Sequence, residues 1–233
     1  MNPRTVRSYL YEGIVIVASI LVAFALDASW ANYQESKVER RILGELKEEF
    51  ESAKARIEIS IGELETVIEA SLELAGSLGR NTSVLSPDTA QDLIDRILTF
   101  NTLEVPTSVV DSIVASGQVR LISNSELREA LAEWPAFIFD VRENHEWHRE
   151  ETDEYLIPYL ARYLSIRDAN VIRGDAKLAP GSFDYDLVSM QRDPVFEGRL
   201  VWRISRQQAT LDESKTLLEE TNKLLALIAV EIG

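Results

Sequence analysis

The sequence predicts an all-α protein, in which an N-terminal transmembrane helix continues into a long amphipathic helix packed in an elongated helical bundle. Three observations carry this prediction. An apolar run, Ile14 to Leu26, lies near the N-terminus with Ser19 as its only polar member. From Ala31 to Leu78 there is no proline, and apolar residues recur at helical spacing. The remainder offers helix starts and stops but no convincing strand pair and no repeat of solenoid length.

The apolar run comes first. Its thirteen residues cover only ~20 Å as a helix, less than a ~30 Å hydrocarbon core. That length suits a signal peptide, and Ala23-Phe24-Ala25 resembles a cleavage site. The aromatic flanks favour a retained anchor instead. Tyr9 and Tyr11 precede the run and Trp30 and Tyr33 follow it, as interfacial anchors do. Tyr9 to Trp30 makes ~32 Å of helix, a bilayer's width. The expected division is a membrane anchor over 1–33 and an extramembrane bundle over 34–233.

Glu12, Ile16, Ser19, Ala23 and Asp27 share one face of the membrane helix. That face gathers two carboxylates, a hydroxyl and a small residue, whereas Ile14, Val17, Leu21 and Phe24 suit acyl chains. Ser19 and Ala23 are therefore expected against another membrane chain, identical or different. Glu12 and Asp27 also lie about one turn inside the boundaries, within reach of their own headgroups. Lys37, Arg40, Arg41 and Lys47 after the run outnumber Arg4 and Arg7 before it. A long following domain crosses largely regardless of such charges, and a short basic start is the usual form of a signal anchor. The expected placement is a bacterial inner membrane, N-terminus cytoplasmic and bulk periplasmic.

Beyond the anchor, Ile42, Leu46, Phe50, Ala53, Ile57, Ile61, Leu64, Ile68, Leu72 and Ala75 step by 4, 4 and 3, three times over. This 11-residue repeat predicts a nearly straight or weakly right-handed helix over Ala31–Leu78, packed on the last helix and ended by Gly76, Gly79 and Asn81. Ser86, Pro87 and Asp88 start a second helix running to about Phe100. Pro106 opens a third through Ala115, capped by Gly117, and Val119–Ile122 is a connector. Ser123 and Glu126 form a capping box for a fourth helix, with kinks or breaks expected at Pro135 and Pro158. Tyr155, Tyr159 and Tyr163, beside Leu156, Leu160 and Leu164, give it a broad packing face. Residues 166–192, with Gly174, Pro180 and Gly181, read as an irregular excursion. Asp193-Pro194 starts the last helix, to about Ile232, with Leu200, Ile204, Leu211, Leu218, Leu225 and Ile228 on one face.

Several of these parts recur together. They are the YLYEGIV run from Tyr9, the apolar helix ending at Trp30 near Asn32, the long acidic helix, and Phe100 to Leu131. In that last stretch Pro106 to Gly117, Leu121, Ile122 and Glu126-Leu127-Arg128 are the most specific. The order resembles an uncharacterised bacterial family of single-pass, membrane-anchored α-helical proteins of unknown function. Its usual asparagine-rich exit from the membrane is matched only loosely by Asp27 to Asn32. The resemblance implies a location and a fold, and it supplies no catalytic residue.

Composition narrows the chemistry. The 233 residues carry 24 Lys and Arg against 39 Asp and Glu, a formal charge of −15, which argues against nucleic acid as a partner. The absence of cysteine excludes disulfides, thiolate metal sites and cysteine nucleophiles. Both histidines, His145 and His148, sit in an acidic stretch as His-Glu-x-His, which fails the His-Glu-x-x-His zincin spacing. The cluster reads as a solvated helix face rather than a metal site. Glu65, Glu69 and Glu73 form a carboxylate row that a cation, a basic partner or plain solvent would relieve. The tyrosine stripe reads as core rather than as a ligand cage. Phosphate-binding glycine loops and nucleophile elbows are absent.

The sequence thus points to a non-enzymatic interaction or scaffold protein, an accessory subunit of a membrane complex without cofactor or metal. Its expected partners are the lipid bilayer and another membrane chain or itself. One alternative is an extracytoplasmic ligand-binding sensor with a pocket near Tyr155 to Tyr163. A chain ending at Gly233 leaves no room for an output domain, which counts against it. The other is a metal-dependent hydrolase using His145 and His148.

Overall fold

A computed structural model describes residues 3–99, 103–168, 179, 181 and 183–232, with backbone alone for 3–11 and 14. The side chains of Tyr9 and Tyr11 therefore lie outside the described residues, as do Phe100, Gly174 and Pro180. Every regular element among the described residues is helical. Helix α1 (Pro3–Gly76) is a single helix of 74 residues, ~110 Å long. It is followed by α2 (Pro87–Leu98), α3 (Ser108–Ala115), a 3₁₀ turn (Gln118–Leu121) and α4 (Ser125–Glu151). A π-helical turn (Thr152–Leu156) leads into α5 (Ile157–Leu160), and α6 (Leu187–Gln191) precedes α7 (Pro194–Ile232). Part of the expected excursion is thus ordered as α6 and a 3₁₀ turn at Ile166–Asp168.

The N-terminal part of α1 stands clear of the bundle. From Val15 onward the helix contains an 18-residue window of mean hydropathy 1.8 with none of it buried, and so is long and apolar enough to cross a membrane. Val15, Leu21, Phe24 and Leu26 are all exposed. A soluble protein rarely leaves so large an apolar patch in water. Past Val38 the same helix enters the core, with no bend back at Gly44 or Gly62.

The packing period differs from the expected one. One seam of α1 runs through Leu46, Phe50, Ala53, Ile57, Ser60, Leu64, Val67, Ser71 and Leu74, with Leu64 half-buried, and Ile42, Leu43, Glu49, Ile68 and Ala70 are buried beside or before it. These steps alternate 4 and 3, the heptad of a left-handed coiled coil rather than an 11-residue repeat. The apolar-only pattern drifts by one position after Ile57, because small polar Ser60 and Ser71 occupy the seam. Leu72, taken as inward, is 54 % exposed. In α4 the same alternation runs through Leu127, Leu131, Trp134, Ile138, Val141, His145 and His148. In α7 it runs through Phe196, Leu200, Arg203, Gln207, Thr210, Ser214, Leu217, Thr221, Leu224 and Ile228. Of the apolar face expected there, Leu200, Leu211 and Ile228 are buried, while Ile204, Leu218 and Leu225 flank the seam. As expected, α1 packs chiefly on α7.

Local signals set most element ends. Ser86 accepts from the Thr89 amide at 3.1 Å, and Gly117 takes φ +71° after α3, a left-handed conformation that favours glycine. The capping box expected at Ser123 is not formed. Asn124 caps α4 by accepting from Leu127 N at 3.0 Å, while the Ser123 amide donates to the Glu39 carboxylate of α1. Helix α3 is capped from a distance. The buried Glu49 carboxylate of α1 accepts from the Val109 and Val110 amides, at 2.7 and 3.1 Å, and from the Ser108 hydroxyl. The break near Pro158 takes the form of the π turn, in which Ile157 N–H donates to the Thr152 carbonyl. The wider turn accommodates a proline that can neither donate nor tolerate a close preceding carbonyl.

Two apolar cores result. One surrounds Ile42 to Ile57 with α3, the first half of α4 and the end of α7. The other, at the far end, joins Ala70 and Leu74 to α2, α5, α6 and the start of α7.

Candidate functional site

Between the two cores lies a buried polar layer built from three helices. Ser60 of α1, His145 and His148 of α4, Thr152 of the π turn, and Arg203, Gln207, Thr210 and Ser214 of α7 are all buried. Each sits on its helix's heptad seam, which places polar atoms where leucine would ordinarily go. The histidines are 2 % and 3 % exposed, so the solvated-face reading of this cluster is overturned. Glu143, Glu150, Asp153 and Glu154 face water, whereas the imidazoles point inward.

Arg203 is the largest fully buried side chain, at 1 % exposure. Its guanidinium pairs with the Glu151 carboxylate and donates to the Ile97 carbonyl at 3.1 Å. That carbonyl belongs to the last turn of α2, where a cation also meets the negative end of the helix dipole. Burial pulls the pKa of Arg203 down and the Glu151 carboxylate opposes the shift, so the charge is held by its partner. His148 Nε2 lies 2.9 Å from Thr210 Oγ1, and that hydroxyl donates to the Arg206 carbonyl at 3.2 Å. With the hydroxyl proton on that carbonyl, the imidazole is the donor through Nε2. Burial, then the positive charges of Arg203, His145 and Arg206, push the His148 pKa down to about 3. His145 Nε2 lies 3.4 Å from Ser214 Oγ, whose proton goes to the Thr210 carbonyl.

Among the described residues no group of three or more His, Asp or Glu side chains is arranged to hold an ion. The carboxylate row of α1 finds its cations within the chain. Lys215 of α7 reaches Glu65 at 2.9 Å, and Arg96 of α2 reaches Glu69 and Glu73 at 3.6 and 4.0 Å.

The tyrosine stripe divides. Tyr159 is buried and stacks on Phe196. Tyr159 and Tyr163 both donate to the Asp193 carboxylate, which also accepts from Val195 N at the start of α7. Those phenols and that amide draw the Asp193 pKa down to about 2. Tyr155 alone turns outward, to an open surface cleft of 380 Å³ with Trp147, Trp202 and three glutamates, where Arg199 lies over its ring.

On the apolar N-terminal segment of α1, Ile16, Ser19, Ala23 and Asp27 are exposed along one side, together with Glu12. The Ser19 hydroxyl donates to the Val15 carbonyl at 2.8 Å, which satisfies it within the helix. Trp30 and Tyr33 pack together with ring centroids 5.8 Å apart, and Lys37 lies over the Tyr33 ring.

Fold and site define an all-α bundle with an internal polar layer and one helix fit to cross a membrane. The chain matches no family model, no curated protein and no solved structure.

Proposed function

We propose that the protein is a membrane-anchored interaction protein, an accessory subunit of a membrane complex without catalytic activity of its own. The observation that carries this reading is the continuity of α1. One helix passes unbroken from an exposed apolar segment into the seam of the bundle, so the bundle is held at a fixed attitude to the bilayer. The proposed placement is a bacterial inner membrane, with the N-terminus cytoplasmic and the bulk periplasmic. The likeness of Phe100 to Leu131 to a family of single-pass anchored proteins supports the same location. Ser19 and Ala23 are proposed to face a second membrane chain, where small residues permit close backbone approach.

The test is purification from native membranes in mild detergent, after a carbonate wash. The expected outcome is retention through the wash and recovery with a defined partner or as a self-associated species. Release as a soluble chain beginning near Leu26 would show a cleaved signal, and recovery as a solitary monomer would remove the subunit reading.

A further inference from the structure

Three buried polar atoms of the layer have no protein partner: Nδ1 of His148, Nε of Arg203 and Oε1 of Gln207. Their residues line one cavity of about 20 Å³, together with Ser60, Glu63, Leu64 and Val67 of α1, Thr99 and His145. That volume accommodates one water-sized molecule and little more. The three atoms also specify its hydrogen-bonding character. Because Nε2 of His148 donates to Thr210, Nδ1 presents a lone pair and accepts. Arg203 Nε can only donate, and Oε1 of Gln207 can only accept. The complement of one donor and two acceptors is a molecule with one available lone pair and two protons. A bound cation would meet the Arg203 charge, and a bound anion would meet two acceptor lone pairs.

We propose that the polar layer binds one internal water molecule, which accepts from Arg203 Nε and donates to His148 Nδ1 and Gln207 Oε1. The water joins α4 to α7 between the two apolar cores. It closes a chain of hydrogen bonds from Glu151 through Arg203 to His148 and Thr210. Leaving the three atoms bare would cost each its full desolvation penalty, so the site is a strong one for water. It is independent of the membrane reading above, because it rests only on the interior of the bundle.

The test uses the full chain in lipid nanodiscs, labelled with ¹⁵N only at histidine. The sequence has just two histidines, so a His145→Gln variant assigns the spectrum. For His148 we expect a neutral ring protonated at Nε2, an Nδ1 shift displaced in the hydrogen-bonded direction, and a cross-peak to a long-lived water. Gln207→Leu removes one acceptor and fills the cavity, and the cross-peak should then be lost. A wild-type His148 protonated at Nδ1, or one with a bare Nδ1 and no water cross-peak, would overturn the proposal. Persistence of the cross-peak in a folded Gln207→Leu protein would overturn it equally. Should that variant fail to fold, the wild-type spectrum decides.

Discussion

Arg203 and Glu151 make up an ion pair in which the guanidinium is buried between helices and the carboxylate reaches the edge of an open cleft. Removing one member of such a pair strands the other and typically costs 3–5 kcal/mol, whereas replacing both with apolar residues is often neutral. Glu151→Gln is therefore expected to destabilise the bundle by about 3 kcal/mol in denaturant titrations. The Glu151→Leu/Arg203→Met double variant is expected to recover most of that loss. His148 sets a second expectation. Its folded pKa of about 3 lies below the ~6.5 of an unfolded histidine, so the unfolded chain binds the extra proton between those values. Stability should fall as pH drops through that window, by up to about 1.4 kcal/mol per pH unit from this group. Arg203, Arg206 and His145 lie close to it, and Glu63 of α1 lines the same small cavity. In His148→Gln, unfolding curves collected from pH 7 to pH 4 should lose that slope. The inward position of both histidines was legible from phase, since Leu127, Leu131, Trp134, Ile138 and Val141 lead to them at alternating steps of four and three. Composition concealed it: seven acidic residues between Asp140 and Glu154 suggested a wet surface.

Helix ends divide by how far away the capping group lies. Ser86-Pro87 and Gly117 act within a few residues and could be read directly. Glu49 caps α3 from about sixty residues away, and nothing in the local sequence announces that pairing. Its loss should be felt at α3 first. Glu49→Ala is expected to cost about 1–2 kcal/mol, in the range of side-chain caps, and to speed hydrogen exchange at the Val109 and Val110 amides before those of α4. The apolar segment of α1 carries its own prediction, which the cysteine-free background makes simple to check. Single cysteines at positions 19 and 23 should crosslink in native membranes more strongly than cysteines at 17 and 21. The reverse order, or no crosslinking at any of the four, would place that face against lipid.

At the scale of the whole molecule, the fold class and the order of helices followed from periodicity and breakers. The coiled-coil seam did not, because its central third is polar: Ser60, His145, His148, Arg203 and Gln207 replace the residues that an apolar pattern seeks. A polar layer between two greasy ends also selects register, since sliding any helix by one heptad would set Arg203 among leucines. That gives α1 a defined rotational setting inside the bundle, and the unbroken α1 carries it into the exposed apolar segment. The chain therefore behaves as a shaft with a fixed phase. Adding residues between Tyr33 and Val38 would turn the Ser19 face by about 100° each relative to the bundle. Two added residues would aim that face at nearly the opposite side, whereas seven would return it to within ~20°. A complex that grips this protein both in the membrane and along the bundle should tolerate the longer insertion and reject the shorter one.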